Sequence, residues 1–442
     1  MELRITSGRP LRGRTRVPGD KSISHRALLL GALADGVTRV RGWLPATDCQ
    51  ATLRCVQALG AEVSPLTDLL DETSLPRAAS ANLVVQGKGL RGLREPEDAL
   101  HCGGSGTTAR LLAGILAGQP FFSILDGNEQ LRRRPMGRVA DPLRWMGATV
   151  LGRDKGRLLP LAIQGGDLEG IDYTLPVASA QVKSAILLAG LYAHANVIVR
   201  EPGPARDHTE RMLAAMGADL TRAGNVIVLA PRTSVLMPLD ITVPGDPSSA
   251  AFLLVAASLV PGSEVVVENV GLNPTRVGLL ETLEAMGARV EVLDRREAGG
   301  EPVGDLRACA GDGLEAVEVA GPLVPRLIDE LPILAVAATQ ASGVTVVSDA
   351  EELRVKETDR IATVTGELRK MGAEIEERPD GFAVSGPVRL HGAVVESHND
   401  HRLAMALAVA GLLAEGETVV QGTECIADSF PGFEAVLESL RG

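Results

Sequence analysis

Apolar and small residues gather in six long runs along the chain, each followed by a turn and a shorter stretch rich in valine and isoleucine. The runs predict buried helices, and the stretches after them, at 35–40, 117–125, 194–199, 261–267, 342–347 and 415–420, predict strands. A second pattern interleaves with the first. A helix closes on Leu or Met, then Gly-Ala, then another strand: Leu59-Gly60-Ala61, Met146-Gly147-Ala148, Met216-Gly217-Ala218, Met286-Gly287-Ala288 and Met371-Gly372-Ala373. The glycine suits the position just past a helix C-terminus. A last helix over 433–440 runs into Arg441-Gly442 and reads as a shortened sixth copy.

Successive copies lie roughly 70 to 85 residues apart, too long for a simple solenoid, so each unit holds several strands and two helices. Alternating helix and strand signals predict an α/β protein. A break falls over 231–244, with three units before it and three after. The chain therefore reads as two similar domains, one over 21–239 and one over 1–20 plus 240–442. Two further segments, 71–80 and 295–313, read as exposed loops.

The start of each apolar helix carries polar chemistry. In order these starts are Asp20-Lys21-Ser22, Gly104-Ser105-Gly106-Thr107-Thr108-Ala109-Arg110, Ala178-Ser179-Ala180-Gln181-Val182-Lys183, Gly245-Asp246-Pro247-Ser248-Ser249, Ile328-Asp329-Glu330 and His398-Asn399-Asp400-His401-Arg402. Capping, worth about 1 kcal/mol each, accounts for Asp246, Ser248 and Ser249. It does not account for Lys21, Arg26, Arg110 and Arg402, because cations are disfavoured at helix N-termini. A bound anion between the cation and the unpaired N–H groups resolves the conflict. Three more charged segments stand nearby in sequence: Arg132-Arg133-Arg134-Pro135, Glu201-Pro202-Gly203-Pro204-Ala205-Arg206-Asp207-His208, and Arg354-Val355-Lys356-Glu357-Thr358-Asp359-Arg360. Lys356 and Arg360 are spaced to share one face of a helix.

Composition narrows the classes. The 442 residues carry a net charge of -12 and only 2% aromatics, which excludes a general nucleic-acid binder but not a site for small anions. Of the 44 cationic residues only six are lysine, so Lys21 and Lys356 inside motifs are informative. Five cysteines without C-x-x-C argue against a disulfide framework or zinc site and fit a reducing compartment. The longest apolar run, 403–414, is shorter than the roughly 20 residues a membrane span takes. With no signal-like N-terminus, the expected location is cytoplasmic. Gly87-Lys88-Gly89-Leu90-Arg91-Gly92 matches G-x-G-x-x-G but is followed by Glu95-Pro96 rather than a helix, and the Gly103-Gly104-Ser105-Gly106 loop lacks a Walker lysine. His25, His208 and His401 lack metal-ligand spacing, and Cys102 reads as a small buried hydrophobe.

Pro18-Gly19-Asp20-Lys21-Ser22-Ile23-Ser24-His25-Arg26, the Ser105-Gly106-Thr107 loop, Arg134-Pro135, Ser179-Ala180-Gln181, 354–360 and Asn399-Asp400-His401-Arg402 together resemble the 5-enolpyruvylshikimate-3-phosphate synthase family, in order and spacing along essentially the whole chain. The resemblance implies two domains of three βαβαββ units each, an inside-out α/β barrel arrangement with the helix starts facing an interdomain cleft. It implies transfer of the enolpyruvyl group of phosphoenolpyruvate to the 5-hydroxyl of shikimate 3-phosphate, with release of phosphate and inhibition by glyphosate. By motif, Lys21, Ser22, Arg26, Ser179, Ala180, Gln181, Arg206, Asp329 and Lys356 should hold shikimate 3-phosphate. Lys21, Gly106, Arg134, Gln181, Arg360 and Arg402 should hold phosphoenolpyruvate. Asp329 should accept the hydroxyl proton, while Glu357 and Lys21 should move protons at the enolpyruvyl group. No cofactor or metal is implied, and a monomer is expected. Gln130 stands where many members have Arg, Ala180 where many have Ser, and Asp428 where many have a substrate-binding Lys. Arg206-Asp207-His208 matches a divergent branch. Two other readings stay open: the enolpyruvyl transferase acting on UDP-N-acetylglucosamine, which typically uses a loop cysteine, and a non-catalytic anion-binding repeat protein.

Overall fold

The computed structural model describes residues 1–66, 80–231 and 235–442. The loop read over 71–80 lies, apart from exposed Ser80, outside the described residues. All six apolar runs are helices: Lys21–Leu33, Gly106–Ala117, Ala180–Gly190, Pro247–Leu259, Leu331–Ala338 and His401–Leu413. They are buried nearly all round. Eleven of the thirteen residues of Lys21–Leu33 and all eight of Leu331–Ala338 are buried. A helix with no polar face cannot sit on a surface, so each is enclosed by a neighbour helix and a sheet.

Five of the six starts are capped by an Asp or Ser that lies within the stretch read there. Asp20 accepts from the Ile23 N–H (2.9 Å), Ser105 from Thr108 (3.1 Å), Ser179 from Val182 (3.5 Å), Asp246 from Ser248 (2.8 Å) and Asp400 from Arg402 (2.9 Å). Each bond satisfies an orphan donor of the first turn. The fifth helix differs. It starts at Leu331 with no side-chain cap, and Asp329 lies in the turn between Val324–Leu327 and Leu331–Ala338 rather than at a helix start. The Gly-Ala pattern also holds, with φ of the five glycines between 83° and 111°. These are left-handed values that cost other residues energy.

Among the described residues six small sheets flank the helices. In one, Val37–Trp43 runs antiparallel to Ala81–Gln86 and parallel to Asp240–Thr242, with Val40 opposite Ile241. In two others the N-terminal strands join segments from the second half of the chain. Glu2–Thr6 pairs with Glu417–Gln421, and Arg12–Arg16 pairs with Glu264–Gly271. Two separate apolar cores result, one drawing on residues between Ile23 and Val243, the other on Leu3 to Val17 together with Ala250 to Leu440. Residues 295–313 are not a loop. Arg289–Ala298 and Glu301–Cys309 form a hairpin turning at Gly299-Gly300, and the charged end of its first strand, Asp294-Arg295-Arg296-Glu297, is exposed, which hides it from a hydrophobic-pattern reading. Among the described residues no helix is long and apolar enough to cross a membrane.

Candidate active site

The helix starts of both halves open onto one cleft of about 570 Å³, a size that suits small metabolites. Lys21, Ser22, Gly106, Arg134, Ser179, Ala180, Gln181, Arg206, Asp329, Lys356, Glu357 and Arg402 all line it. Arg26 and Arg360 do not reach its wall. Arg26 is 3% exposed and donates to Thr209 (2.7 Å), Ser184 (2.9 Å) and the Ser22 carbonyl (3.0 Å). It therefore backs the cleft rather than facing it. Arg360 is 1% exposed and is held by Asp400 (2.7 Å) and Glu357 (2.7 Å), with Asp329 at 3.3 Å. Lys356 and Arg360 do not share a helix, because Arg360–Lys370 begins only at Arg360.

Eight cations line the cleft, but seven carboxylates stand among them. The Lys21 ammonium rests 2.6 Å from Asp48. Burial alone would lower its pKa, but Asp48 overrides this and holds it above the usual lysine value. Arg206 donates to Ser22 (3.3 Å) and pairs with Asp329, which also has Lys356 and Arg402 at 3.6 Å. Burial opposes the charge on Asp329, yet Arg402, Lys356, Arg206 and Arg360 hold its carboxyl well below the usual range. Glu357 is likewise depressed, against burial, by Arg360 and by Arg134 at 3.5 Å. Lys356 itself is lowered, because burial outweighs Asp329.

At the other end of the cleft, Arg110 donates to Gln181 (2.5 Å) and to the Pro135 carbonyl (3.0 Å), and Gln181 donates to Thr107 (2.9 Å). Burial, then the neighbouring Arg134 and Arg138, push Arg110 down to about 9. A Cβ on Gly106 would stand 2.7 Å from the Arg110 guanidinium and 3.2 Å from that of Arg134. The glycine thus leaves room for two guanidinium groups at a helix N-terminus. Gln130, which stands where many members of the resembled family have arginine, donates to the Glu357 carbonyl at 2.7 Å, joining one half of the chain to the other. Buried His401 lines the wall with its Nε2 unpaired, and burial with nearby Lys21 holds it neutral, down to about 3.

Sequence reasoning missed Asp48, Arg138, Glu352 and Arg276. The first three carry no local signal. Arg138 meets Glu352 at 2.9 Å across the cleft, a pairing only the fold creates. Arg276 had a signal nearby: its two carboxylate partners belong to the repeated tetrapeptides Val17-Pro18-Gly19-Asp20 and Val243-Pro244-Gly245-Asp246. His208, read as lacking metal-ligand spacing, meets Glu301 (2.7 Å) beside Asp207. Asn273 donates to both acids and Arg211 lies 3.0 Å from Asp207, so protein donors already serve these oxygens.

Comparisons with known proteins identify the family. A model of the EPSP synthase (3-phosphoshikimate 1-carboxyvinyltransferase) family matches residues 5–437. The 3-phosphoshikimate 1-carboxyvinyltransferase of Desulforamulus reducens is 52% identical over 440 residues, covering 100% of this chain and 99% of that protein. The protein of the same name from Pelotomaculum thermopropionicum is 53% identical over 438 residues, covering 99% and 98%. The EPSP synthase structure from Acinetobacter baumannii superposes with a TM-score of 0.86 at 42% identity, covering 99% of this chain and 98% of that one. The enolpyruvyl transferase NikO from Streptomyces tendae shares the fold alone, at 19% identity and a TM-score of 0.77 over 99% and 97% of the two chains. With the match running nearly end to end at this level of identity, the chain belongs to the EPSP synthase family.

Proposed function

We propose that this chain transfers the enolpyruvyl group of phosphoenolpyruvate to the 5-hydroxyl of shikimate 3-phosphate and releases phosphate. The observation that carries the reading is the pair Asp329 and Glu357, held around buried Arg360 at 3.3 and 2.7 Å and ringed by further cations. Both substrates carry a carboxylate and a phosphate, and arginine pairs with either group through two parallel bonds. The near balance of cations and acids in the cleft gives binding a specific form. Substrate oxygens replace protein carboxylates as partners of Arg206, Lys356, Arg134 and Arg402. Shikimate 3-phosphate takes Lys21, Ser22, Ser179, Gln181, Arg206 and Lys356, with the Ala180 N–H in the first turn. Phosphoenolpyruvate takes Lys21, Arg134, Gln181 and Arg402 beside Gly106.

The exchange also tunes the base. While four cations hold Asp329 far down, it is a poor proton acceptor. Once substrate phosphate draws Arg206 and Lys356 away, its pKa rises toward that of an ordinary carboxylate and it takes the proton of the attacking hydroxyl. Glu357 and Lys21 move the proton at the methylene carbon. Arg26 and Arg360 serve from behind, orienting Ser22 and the two carboxylates. We further propose that the two cores are two domains that close around the substrates, since Arg206–Asp329, Arg138–Glu352 and Gln130–Glu357 each join one half to the other. A monomer in the cytoplasm is part of the same proposal, and the five cysteines, all free, suit that compartment. None of them lines the cleft, which favours shikimate 3-phosphate over the UDP-sugar as acceptor. Phosphate release from phosphoenolpyruvate, measured with each acceptor in turn, tests the reading. Release with shikimate 3-phosphate alone is expected, and release only with the UDP-sugar, or with neither, overturns it.

A further inference from the structure

Among the described residues the chain passes between its two cores at 17–23 and at 243–250. The two passages carry the same tetrapeptide, and the copies bond to each other. Asp20 N–H donates to the Pro244 carbonyl (2.7 Å), Asp246 N–H donates to the Pro18 carbonyl (2.8 Å), and Gly19 bridges Gly245. This symmetry brings two buried carboxylates together, which repel unless a cation lies between them. Arg276 supplies it. Its side chain is 2% exposed, with Nη1 at 2.7 Å from Asp20 and Nη2 at 2.9 Å from Asp246 and 2.7 Å from Ser248 Oγ.

Each partner of Arg276 leads to the chemistry. The other oxygen of Asp20 caps the Lys21–Leu33 helix. The other oxygen of Asp246 accepts the Lys21 N–H itself at 3.0 Å. Ser248 donates to Glu330, the neighbour of Asp329 in the turn. One guanidinium thus ties the helix start that carries Lys21 to the turn that carries Asp329. Its charge is consumed by the two acids, so it adds little to anion binding although it lines the cleft.

We infer that Arg276 is a positioning residue for the transfer reaction, a clamp on the paired crossovers that sets Lys21 and Asp329 in register. The inference rests on the reaction proposed above. A lysine at this site keeps the charge but loses the planar fork that serves two carboxylates at once. In the full chain, Arg276→Lys is therefore expected to lower kcat for phosphate release by about tenfold or more, since small misplacements of reacting groups carry costs up to about 10²-fold. KM for both substrates should stay within about threefold of the wild-type value. Hydrogen exchange, followed by mass spectrometry on peptides covering 18–24, should quicken. Guanidinium ion at millimolar levels should restore turnover to Arg276→Ala and leave Lys21→Ala dead. A wild-type kcat in Arg276→Lys, or a loss confined to KM, overturns the inference. So does a folded Arg276→Ala that guanidinium does not rescue, and if Arg276→Ala does not fold, Arg276→Lys decides alone. An inactive wild-type chain faults the proposed reaction instead, while the exchange measurement still judges the clamp.

Discussion

At the scale of single residues, the two depressed carboxylates make the sharpest claim. Asp329→Asn and Glu357→Gln keep shape and remove proton transfer. Each is expected to cut kcat by about 10²–10⁴-fold with smaller changes in substrate affinity. Glu357→Gln should also slow uptake of solvent deuterium into the methylene group of phosphoenolpyruvate, whereas a pure KM effect removes the residue from its role. Gly106→Ala places a methyl between the Arg110 and Arg134 guanidinium groups. If the family's inhibitor glyphosate competes with phosphoenolpyruvate here, its inhibition constant should rise more than KM for the substrate, and equal losses refute this. Which cations face the cleft was only partly legible in the sequence. Lys21, Arg134, Arg206 and Arg402 line it as expected. Arg26 and Arg360 carry the same charge in the same motifs and lie behind it, because burial places Ser184 and Thr209 against one and Asp400 against the other. Partners of that kind come from distant segments and leave no trace in local spacing.

Elements were more legible than residues, for a physical reason. Caps and positive-φ glycines act within one turn of a helix, so Asp20, Ser105, Ser179, Asp246 and Asp400 mark their helices on their own. The exposed end of the Arg289–Ala298 strand, Asp294-Arg295-Arg296-Glu297, has no apolar alternation to display, and only Gly299-Gly300 hinted at its turn. How closely helices pack was not legible at all. Inside Gly106–Ala117, a Cβ on Gly114 would come 2.2 Å from the Ala185 carbonyl oxygen of the neighbouring helix. Gly366, inside Arg360–Lys370, has nothing within 4 Å of that position. The same substitution should therefore have opposite signs. Gly366→Ala should stabilise by up to about 1 kcal/mol through helix propensity. Gly114→Ala should destabilise by about 1–3 kcal/mol through overpacking. Urea unfolding of both variants checks the pair, and the same sign for both would show that backbone approach is not what keeps Gly114.

For the whole molecule, buried neutral histidines set a pH dependence. Burial pushes His25 well below its usual range and His401 to about 3, with Lys21 adding to both. Below about 6.5 the unfolded chain protonates these rings while the folded chain does not, so stability is full above that pH and falls as pH drops toward 3. Each histidine contributes a slope of about 1.4 kcal/mol per pH unit within the window. Denaturation between pH 5 and 6.5 lies above the range in which the depressed carboxylates cost stability, and Glu201 and Asp428, which burial raises instead, are common to both chains compared. There His401→Gln should flatten the slope by one histidine's share, and an unchanged slope would mean the ring is already charged. The strand pairing of Glu2–Thr6 with Glu417–Gln421 has a consequence of a different kind. The core built from residues between Ile23 and Val243 holds everything it needs once the polypeptide has grown past that valine. The other core joins the oldest residues of the chain to nearly the youngest. During synthesis on the ribosome its second strand must therefore wait unpaired until 264–271 is made, and its first until 417–421, and a chaperone that shelters exposed strand edges should engage this protein at its N-terminal segment.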